Sequence, residues 1–447
     1  MNAATEPAAD LAHKVSSLLR WRTIWTDSPD IAEFEGFIAD LRVQFPLVVA
    51  RAEWERVHEY GLLVRMAGSA GVDGGATARA TIILAHYDVV PTDGQPWTRD
   101  PFGGEIEAGR VWGRGALDDK GRLAAALEAA EQLLARGFTP EHDVYFSFGH
   151  DEEVIGDSAR TASDLLHKRG IRPSIVLDEG SGIVADEFPG VKRRLALVST
   201  AEKGASLVRI RSTGRGGHAS TPSPGGAVSG LVDAVRTLQR RPSRPVLTAP
   251  IAALLTALAS NSAGIRRLAY RAATRSPYIA QFALGRNDNE RMALLRDTEA
   301  VTILRASKTA NVVPVIADAL VDQRLLPGST MASGEQSIRR RIGDERFDVE
   351  SLGGGDPSAM SQLAGEAYDR IRRAVEAVHS DVEIAPSLMV GATDARFFSR
   401  YSDVVYRFSP FAWSGTDRST LHAADESVSV EMLDDARRFY EQILLGS

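Results

Sequence analysis

Apolar residues run almost without interruption through Ile82-Ile83-Leu84-Ala85, Val144-Tyr145-Phe146-Ser147-Phe148 and Ser174-Ile175-Val176-Leu177, and each run leads into a histidine or an acid. Runs without polar alternation predict strands covered on both faces, as in a largely parallel sheet between helices. Residues 122–136 instead show amphipathic helical spacing, opened by the glycine-punctuated Gly113-Arg114-Gly115-Ala116-Leu117-Asp118-Asp119-Lys120-Gly121. Residues 11–50 read as two further helices, so the chain to about residue 199 predicts an α/β layer. The pattern then changes: Ala205-Ser206-Leu207-Val208-Arg209-Ile210-Arg211-Ser212 alternates as a strand with one wet face does. A helix over 226–240, a strand over 317–324 and a helix over 334–342 follow. They end near Gly353-Gly354-Gly355-Asp356-Pro357, which suits a return crossing. The expectation is an α/β protein of two domains, because 447 residues exceed one ordinary core. Residues 1–200 and 356–447 would form one discontinuous unit, with 201–355 inserted in it.

Composition narrows the class. A hydrophobic content of 44% and a charged content of 25% are those of a globular protein. The formal net charge of −7, with basic clusters as short as Arg339-Arg340-Arg341, argues against nucleic acid as a partner. No cysteine is present, so disulfides and thiolate metal ligands are excluded. Residues 1–10 lack the apolar segment of a signal peptide, and no run approaches the roughly 20 apolar residues of a membrane span. The sequence therefore reads as cytoplasmic.

The strand ends carry the candidate chemistry. His86 closes the first run with Asp88 two residues on, on the same strand face, where its carboxylate can accept the second ring N–H and fix the tautomer. Gly149-His150-Asp151-Glu152-Glu153-Val154 places three consecutive acids at a strand end, where they repel unless a cation or solvent relieves them. Asp178-Glu179-Gly180 ends the third strand, and Ser419-Thr420-Leu421-His422-Ala423-Ala424-Asp425-Glu426 adds a distant histidine. Ligands collect at the carboxyl ends of strands in open α/β sheets. Imidazole and carboxylate without thiolate suit Zn²⁺, Co²⁺ or Mn²⁺, and about five ligands exceed what one tetrahedral ion needs. Two divalent ions sharing a carboxylate are expected, an arrangement that activates water for hydrolysis.

These motifs in combination resemble the di-zinc metallopeptidases that include aminoacylase, carboxypeptidase G, carnosinase and succinyl-diaminopimelate desuccinylase. The resemblance runs from the His86 strand to the His422 turn. Together with Gly391-Ala392-Thr393-Asp394-Ala395-Arg396-Phe397-Phe398, it is strongest to the branch of vacuolar carboxypeptidase S and the secreted N-fatty-acyl-amino-acid hydrolase. It implies that His86 binds one zinc, Asp118 bridges both with a cis bond after it, and Glu153 and His422 bind the second. An acid of the Asp178-Glu179 pair would complete the first; the closest branch favours Asp178, whereas aminoacylases use the position of Glu179. Glu152 would be the general base and Asp88 the partner of His86. The inserted unit would be an α+β, ferredoxin-like lid. On it, His218 would stabilise the oxyanion, in many relatives within a partner subunit of a homodimer, while Asn311 and Arg324 would hold the substrate carboxylate.

Two apolar stretches in the insertion, Ile251-Ala252-Ala253-Leu254-Leu255-Thr256-Ala257-Leu258-Ala259 and Tyr278-Ile279-Ala280-Gln281-Phe282-Ala283-Leu284, read either as core helices or as the wall of a fatty-acyl pocket. The expected activity is hydrolysis of the amide of an N-acyl amino acid or dipeptide-like small molecule. A carboxypeptidase or dipeptidase on the same site is the alternative, and a metal-dependent peptide-binding protein without turnover is the alternative of another class. Glu152 argues against the last, since binding alone needs no base.

Overall fold

The structure, a computed structural model, describes residues 6–70, 79–154, 156–285, 288–343 and 346–446. Its main sheet contains ten strands among these residues. The hydrogen-bonded order is Ala52–Val57, Gly61–Met66, Asp143–Gly149, Arg79–His86, Arg172–Asp178, Val405–Arg407, Arg194–Glu202, Ile183–Val184 and Ala412–Trp413, with Val382–Met389 also paired to Arg194–Glu202. Arg79–His86 is parallel to both neighbours, with His86 opposite Gly149 and Ile83 opposite Leu177. Three apolar strands thus finish at one edge and bring His86, the Gly149 turn and Asp178 together there.

Helices cover both faces, giving an α/β/α sandwich. Glu6–Leu19, Lys120–Ala135, Glu366–Val378 and Val430–Leu445 share one core with Ile83, Phe146 and Leu177. Asp157–Lys168 and Ala395–Phe398 pack on the other face against Ile82, Tyr145 and Val176. Lys120–Ala135 approaches closely because Ala124, Ala125, Ala126, Ala129 and Ala130 are buried, and alanine adds the strongest helix propensity. Residues 11–50, expected as two helices, form Glu6–Leu19, Ile31–Gln44 and a short third helix, Pro46–Arg51, with proline at its start.

The second sheet is antiparallel, in the order Thr298–Arg305, Ile316–Leu325, Gly204–Thr213 and Phe347–Gly355. One face buries Val208, Ile210 and Val321 under helices Ala227–Arg240 and Met331–Ile342, and the other is wet, as the alternation along Ile316–Leu325 requires. The two connections to the main body run side by side: Ala205 is opposite Gly355, and the Ser358 N–H donates to the Glu202 carbonyl at 3.2 Å.

One part of the insertion does not stay with the second sheet. Helices Ala249–Ser260, Gly264–Ala273 and Pro277–Leu284 pack against the main sheet, in a cluster with Leu195, Leu197, Ala385 and Leu388. Ile251, Leu254, Leu255 and Leu258 are fully buried in it. Of the two readings of these stretches, core helices is the one the structure gives, and the core they join is that of the main sheet rather than that of the second sheet. Apolar composition marked them for burial but did not say on which body. Among the described residues no helix is long and apolar enough to cross a membrane.

Candidate metal centre

At the shared strand edge two acid and imidazole groups meet on one carboxylate. His86 Nε2 is 2.9 Å from Asp118 Oδ1 and 3.7 Å from Glu179 Oε1. His422 Nε2 is 3.1 Å from Asp118 Oδ2 and 3.2 Å from Glu153 Oε1. Asp118 thus offers one oxygen to each imidazole, and the groups His86–Asp118–Glu179 and Asp118–Glu153–His422 each have donor atoms close enough to hold a cation. The donors are nitrogen and oxygen only, which fits a borderline divalent ion.

Buried hydrogen bonds fix this geometry. His86 Nδ1 lies 3.1 Å from the Asp88 carbonyl and 3.3 Å from Asp88 Oδ1. The same Asp88 carboxylate accepts the backbone N–H groups of Glu152 at 3.2 Å and Glu153 at 3.0 Å. Asp88 therefore orients the imidazole and the acid pair at once. Asp151 anchors the far side of that turn by accepting the N–H groups of Asp157 and Ser158, at the N-terminus of helix Asp157–Lys168. The Asp118–Asp119 peptide is cis. Asp119 turns away from the two imidazole Nε2 atoms into a buried pair with Arg122, whose Nε donates to it at 2.8 Å.

Asp178, expected as a ligand, is not in the cluster. Its carboxylate accepts the N–H groups of Ala395 at 2.7 Å and Glu179 at 2.8 Å, with Arg122 Nη2 at 3.5 Å. Asp178 ends its strand and tucks behind the sheet edge, and Glu179, one residue on, points at His86 instead. Consecutive strand residues point to opposite faces, so only one of the two acids can face His86; Ala395 and Arg122, which only the fold brings near, hold Asp178 on the other side.

Glu426 is the supporting residue that sequence reasoning passed over. It is completely buried, and its Oε1 accepts the N–H groups of Gly115 at 3.1 Å, Leu117 at 2.8 Å and Asp118 at 3.2 Å, while Oε2 pairs with Arg114 at 2.6 Å. It ties the His422 turn to the Asp118 loop. Its place four residues after His422 was the available signal.

The electrostatics are those of a cation site holding protons. Hydrogen bonds to Asp118 and Glu153 push the His422 imidazole up to about 10. Burial pulls the other way at His86, but its bonds to Asp118 and Asp88 outweigh it and raise it well above its ordinary value. Burial, with the charges of Glu153, Asp88 and Asp118, holds the Glu152 carboxyl well above its usual range against the pull of His86. Burial first, and then Asp118, does the same to Glu179. A divalent ion would displace the protons on its ligands, and its charge would pull the neighbouring Glu152 carboxyl back down.

The three residues expected on a lid stand apart from the cluster. His218 and Asn311 are neighbours, since His218 pairs with Val312 and the Ala219 N–H donates to the Asn311 carbonyl at 3.1 Å. Both are exposed, and His218 Nδ1 contacts Ser220 Oγ at 2.7 Å. Arg324 pairs with Asp322 on its own strand at 2.8 Å. Among the described residues, no hydrogen bond or ion pair joins the three to the acid cluster.

A cavity of about 340 Å³ adjoins the cluster, its lining running from Gly180, next to Glu179, to Leu421, next to His422. Val184, Phe188, Leu197, Leu388 and Trp413 make it largely apolar, and Leu294 closes it from the insertion. Neither expected apolar stretch lines it. The model of peptidase family M20/M25/M40 matches residues 82–446, the span that holds every one of these residues. The chain belongs to that family. Within it, the chain is 31% identical to human N-fatty-acyl-amino acid synthase/hydrolase PM20D1, over 93% of this chain and 82% of that protein. It is 27% identical to carboxypeptidase S of Saccharomyces cerevisiae, over 86% and 74%. Its fold is similar to an M20 family metallo-carboxypeptidase, Sso-CP2, from Sulfolobus solfataricus (TM-score 0.68, 19% identity, 97% of this chain and 98% of that one). It is also similar to the Bacillus subtilis YXEP protein, a dinuclear metal binding peptidase (TM-score 0.62, 14% identity, 98% of each chain). This M20 member is thus a metallohydrolase acting on amide bonds.

Proposed function

We propose that the protein hydrolyses N-acyl amino acids with long acyl groups, using two divalent ions of which zinc suits the donors best. His86, Asp118 and Glu179 would hold one ion, and Asp118, Glu153 and His422 the other. When bound, the ions would polarise the scissile carbonyl and make water acidic enough to attack. The observation that carries the reading is the apolar cavity directly beside a cluster whose two halves share Asp118. The names of the PM20D1 relatives point the same way.

Glu152 would be the base; what supports this is that it feels the charges of the cluster, yet neither cation group includes it. It takes one proton as the water oxygen bonds to the acyl carbon, and returns it to the nitrogen as the C–N bond breaks. The products are a carboxylic acid and an amino acid. Asp88 acts as a positioning residue through His86 and the Glu152 and Glu153 amides. His218 and Asn311 are exposed and adjacent, which supports delivery of both to the substrate by the lid, from the same chain or from a partner copy; Arg324 would have to exchange Asp322 for the substrate carboxylate.

A carboxypeptidase reading rests on the likeness to carboxypeptidase S and uses the same residues. One series separates the two: kcat/KM on a single amino acid carrying acetyl, octanoyl and longer acyl groups, with peptides in parallel, after reloading with Zn²⁺, Co²⁺ or Mn²⁺. The acyl reading expects a rise with chain length, about 0.8 kcal/mol per buried methylene. A flat or falling series with good peptide turnover would favour the carboxypeptidase.

A further inference from the structure

The inserted helices carry a surface that the hydrolytic site does not use. Gly264–Ala273 and Pro277–Leu284 turn Tyr270, Ala273, Ala280, Ala283 and Leu284 into the cluster on the main sheet. Their opposite faces look outward together. Ile265 is 81% exposed, Leu268 63%, Tyr278 59% and Phe282 74%, with Ile279 beside them. Ile265 and Leu268 are three residues apart and Tyr278 and Phe282 four, so each pair forms a row on its helix. Scattered exposed apolar residues are ordinary, but two such rows on helices that pack against each other mark a contact surface.

The charges around it specify the partner. Residues 264–284 contain four arginines, Arg266, Arg267, Arg271 and Arg275, and no acid, in a chain whose net charge is −7. All four are exposed, and none makes an ion pair among the described residues. An apolar row edged by unpaired guanidinium groups is the composition of a helix lying in a lipid interface. There the apolar side chains enter the acyl boundary and the cations stay at the phosphate level. A second copy of the chain fits poorly, because a two-fold contact sets the same patch against itself and four arginines would face four.

We infer that this face docks the protein on an anionic lipid surface. The contact is peripheral, made by two short helices. It stands whether or not the neighbouring cavity takes an acyl chain, although helix Asn289–Ala293, which follows directly, supplies Glu290 and Arg291 to that cavity. An enzyme placed this way would meet amphiphilic substrates where they concentrate.

The test is co-sedimentation of the full chain with vesicles of phosphatidylcholine alone and of phosphatidylcholine with phosphatidylglycerol. One variant is Ile265→Ser with Phe282→Ser, and another is Arg266→Glu, Arg267→Glu and Arg271→Glu, each checked for native circular dichroism and elution volume. The wild type should partition onto the anionic vesicles and be weakened by salt, since exposed charges are screened within about 10 Å at 0.1 M. Each variant should lose at least about tenfold in partition coefficient. Absence of wild-type binding, or equal binding by the variants, would overturn the inference. So would a wild-type dimer that the Ile265→Ser, Phe282→Ser variant converts to monomer, which would assign the face to a second copy.

Discussion

Replacing Glu426 by glutamine tests whether the His422 turn and the Asp118 loop are one unit. The glutamine carbonyl can still accept from the Gly115, Leu117 and Asp118 amides, so the change isolates the charge opposite Arg114. Both partners are almost fully buried, 1% and 0% exposed. Breaking such a pair from one side costs about 3–5 kcal/mol, because the remaining charge is left in the interior. Arg114 also donates to Gln95 at 2.8 Å and lies 5.2 Å from the Trp97 ring. These contacts soften the loss, and burial, which raises the Glu426 carboxyl against the pull of Arg114, offsets more of it, so about 2 kcal/mol is expected. Urea unfolding of the metal-free protein measures it, and equilibrium dialysis should show weaker metal binding, since the Asp118 backbone is no longer held as firmly. Changing Arg114→Met in the same chain removes the stranded charge and should recover part of the stability. A loss below about 1 kcal/mol, or no recovery in the double variant, would show that the pair is not what ties the two segments.

Three further outcomes follow from the same geometry. Metal analysis should find one ion fewer in Glu179→Ala and the full complement in Asp178→Asn, and the reverse would restore Asp178 as the ligand. Leu294→Trp, which fills the cavity from the insertion side, should lower kcat/KM for long acyl chains by about tenfold, the equivalent of two buried methylenes, and leave N-acetyl substrates nearly unchanged. Asp435 is raised from 3.8 to about 6, first by burial, against the pull of Arg438. The stability it contributes is fully present below about 3.8 and lost as pH rises through about 6. Asp435→Asn should then be more stable than wild type at pH 7.5, by up to about 3 kcal/mol at about 1.4 kcal/mol per pH unit, and should show no advantage near pH 3.5. Urea midpoints at the two values check this.

The strands that make the site were legible because each is an unbroken apolar run, and a buried parallel strand leaves few other readings for Ile82 to His86 or Val144 to Gly149. Their acids could be recognised from chemistry alone, since three adjacent carboxylates at a strand end need something to hold them. The choice between Asp178 and Glu179 was not legible, because it depends on the Ala395 amide and Arg122, which are distant in sequence. Glu426 was hidden for a similar reason: a buried acid pairing with Arg114 across 312 positions leaves no local pattern. The insertion misled in a different way. Helix Ala249–Ser260 is apolar on nearly every side, so periodicity could not say which body it would join, whereas Gly264–Ala273 alternates arginine and apolar residues and shows its outward face directly.

The central claim is a pair of cations held through Asp118 with Glu152 as the base that moves the proton, and one preparation of Glu152→Gln tests it most directly. Its metal content by elemental analysis and its turnover of an N-acyl amino acid are measured on the same sample beside wild type. The expected result is two ions per chain in both proteins and a kcat at least about a hundredfold lower in the variant. Near-normal turnover, or a variant that loses its metal, would contradict the assignment.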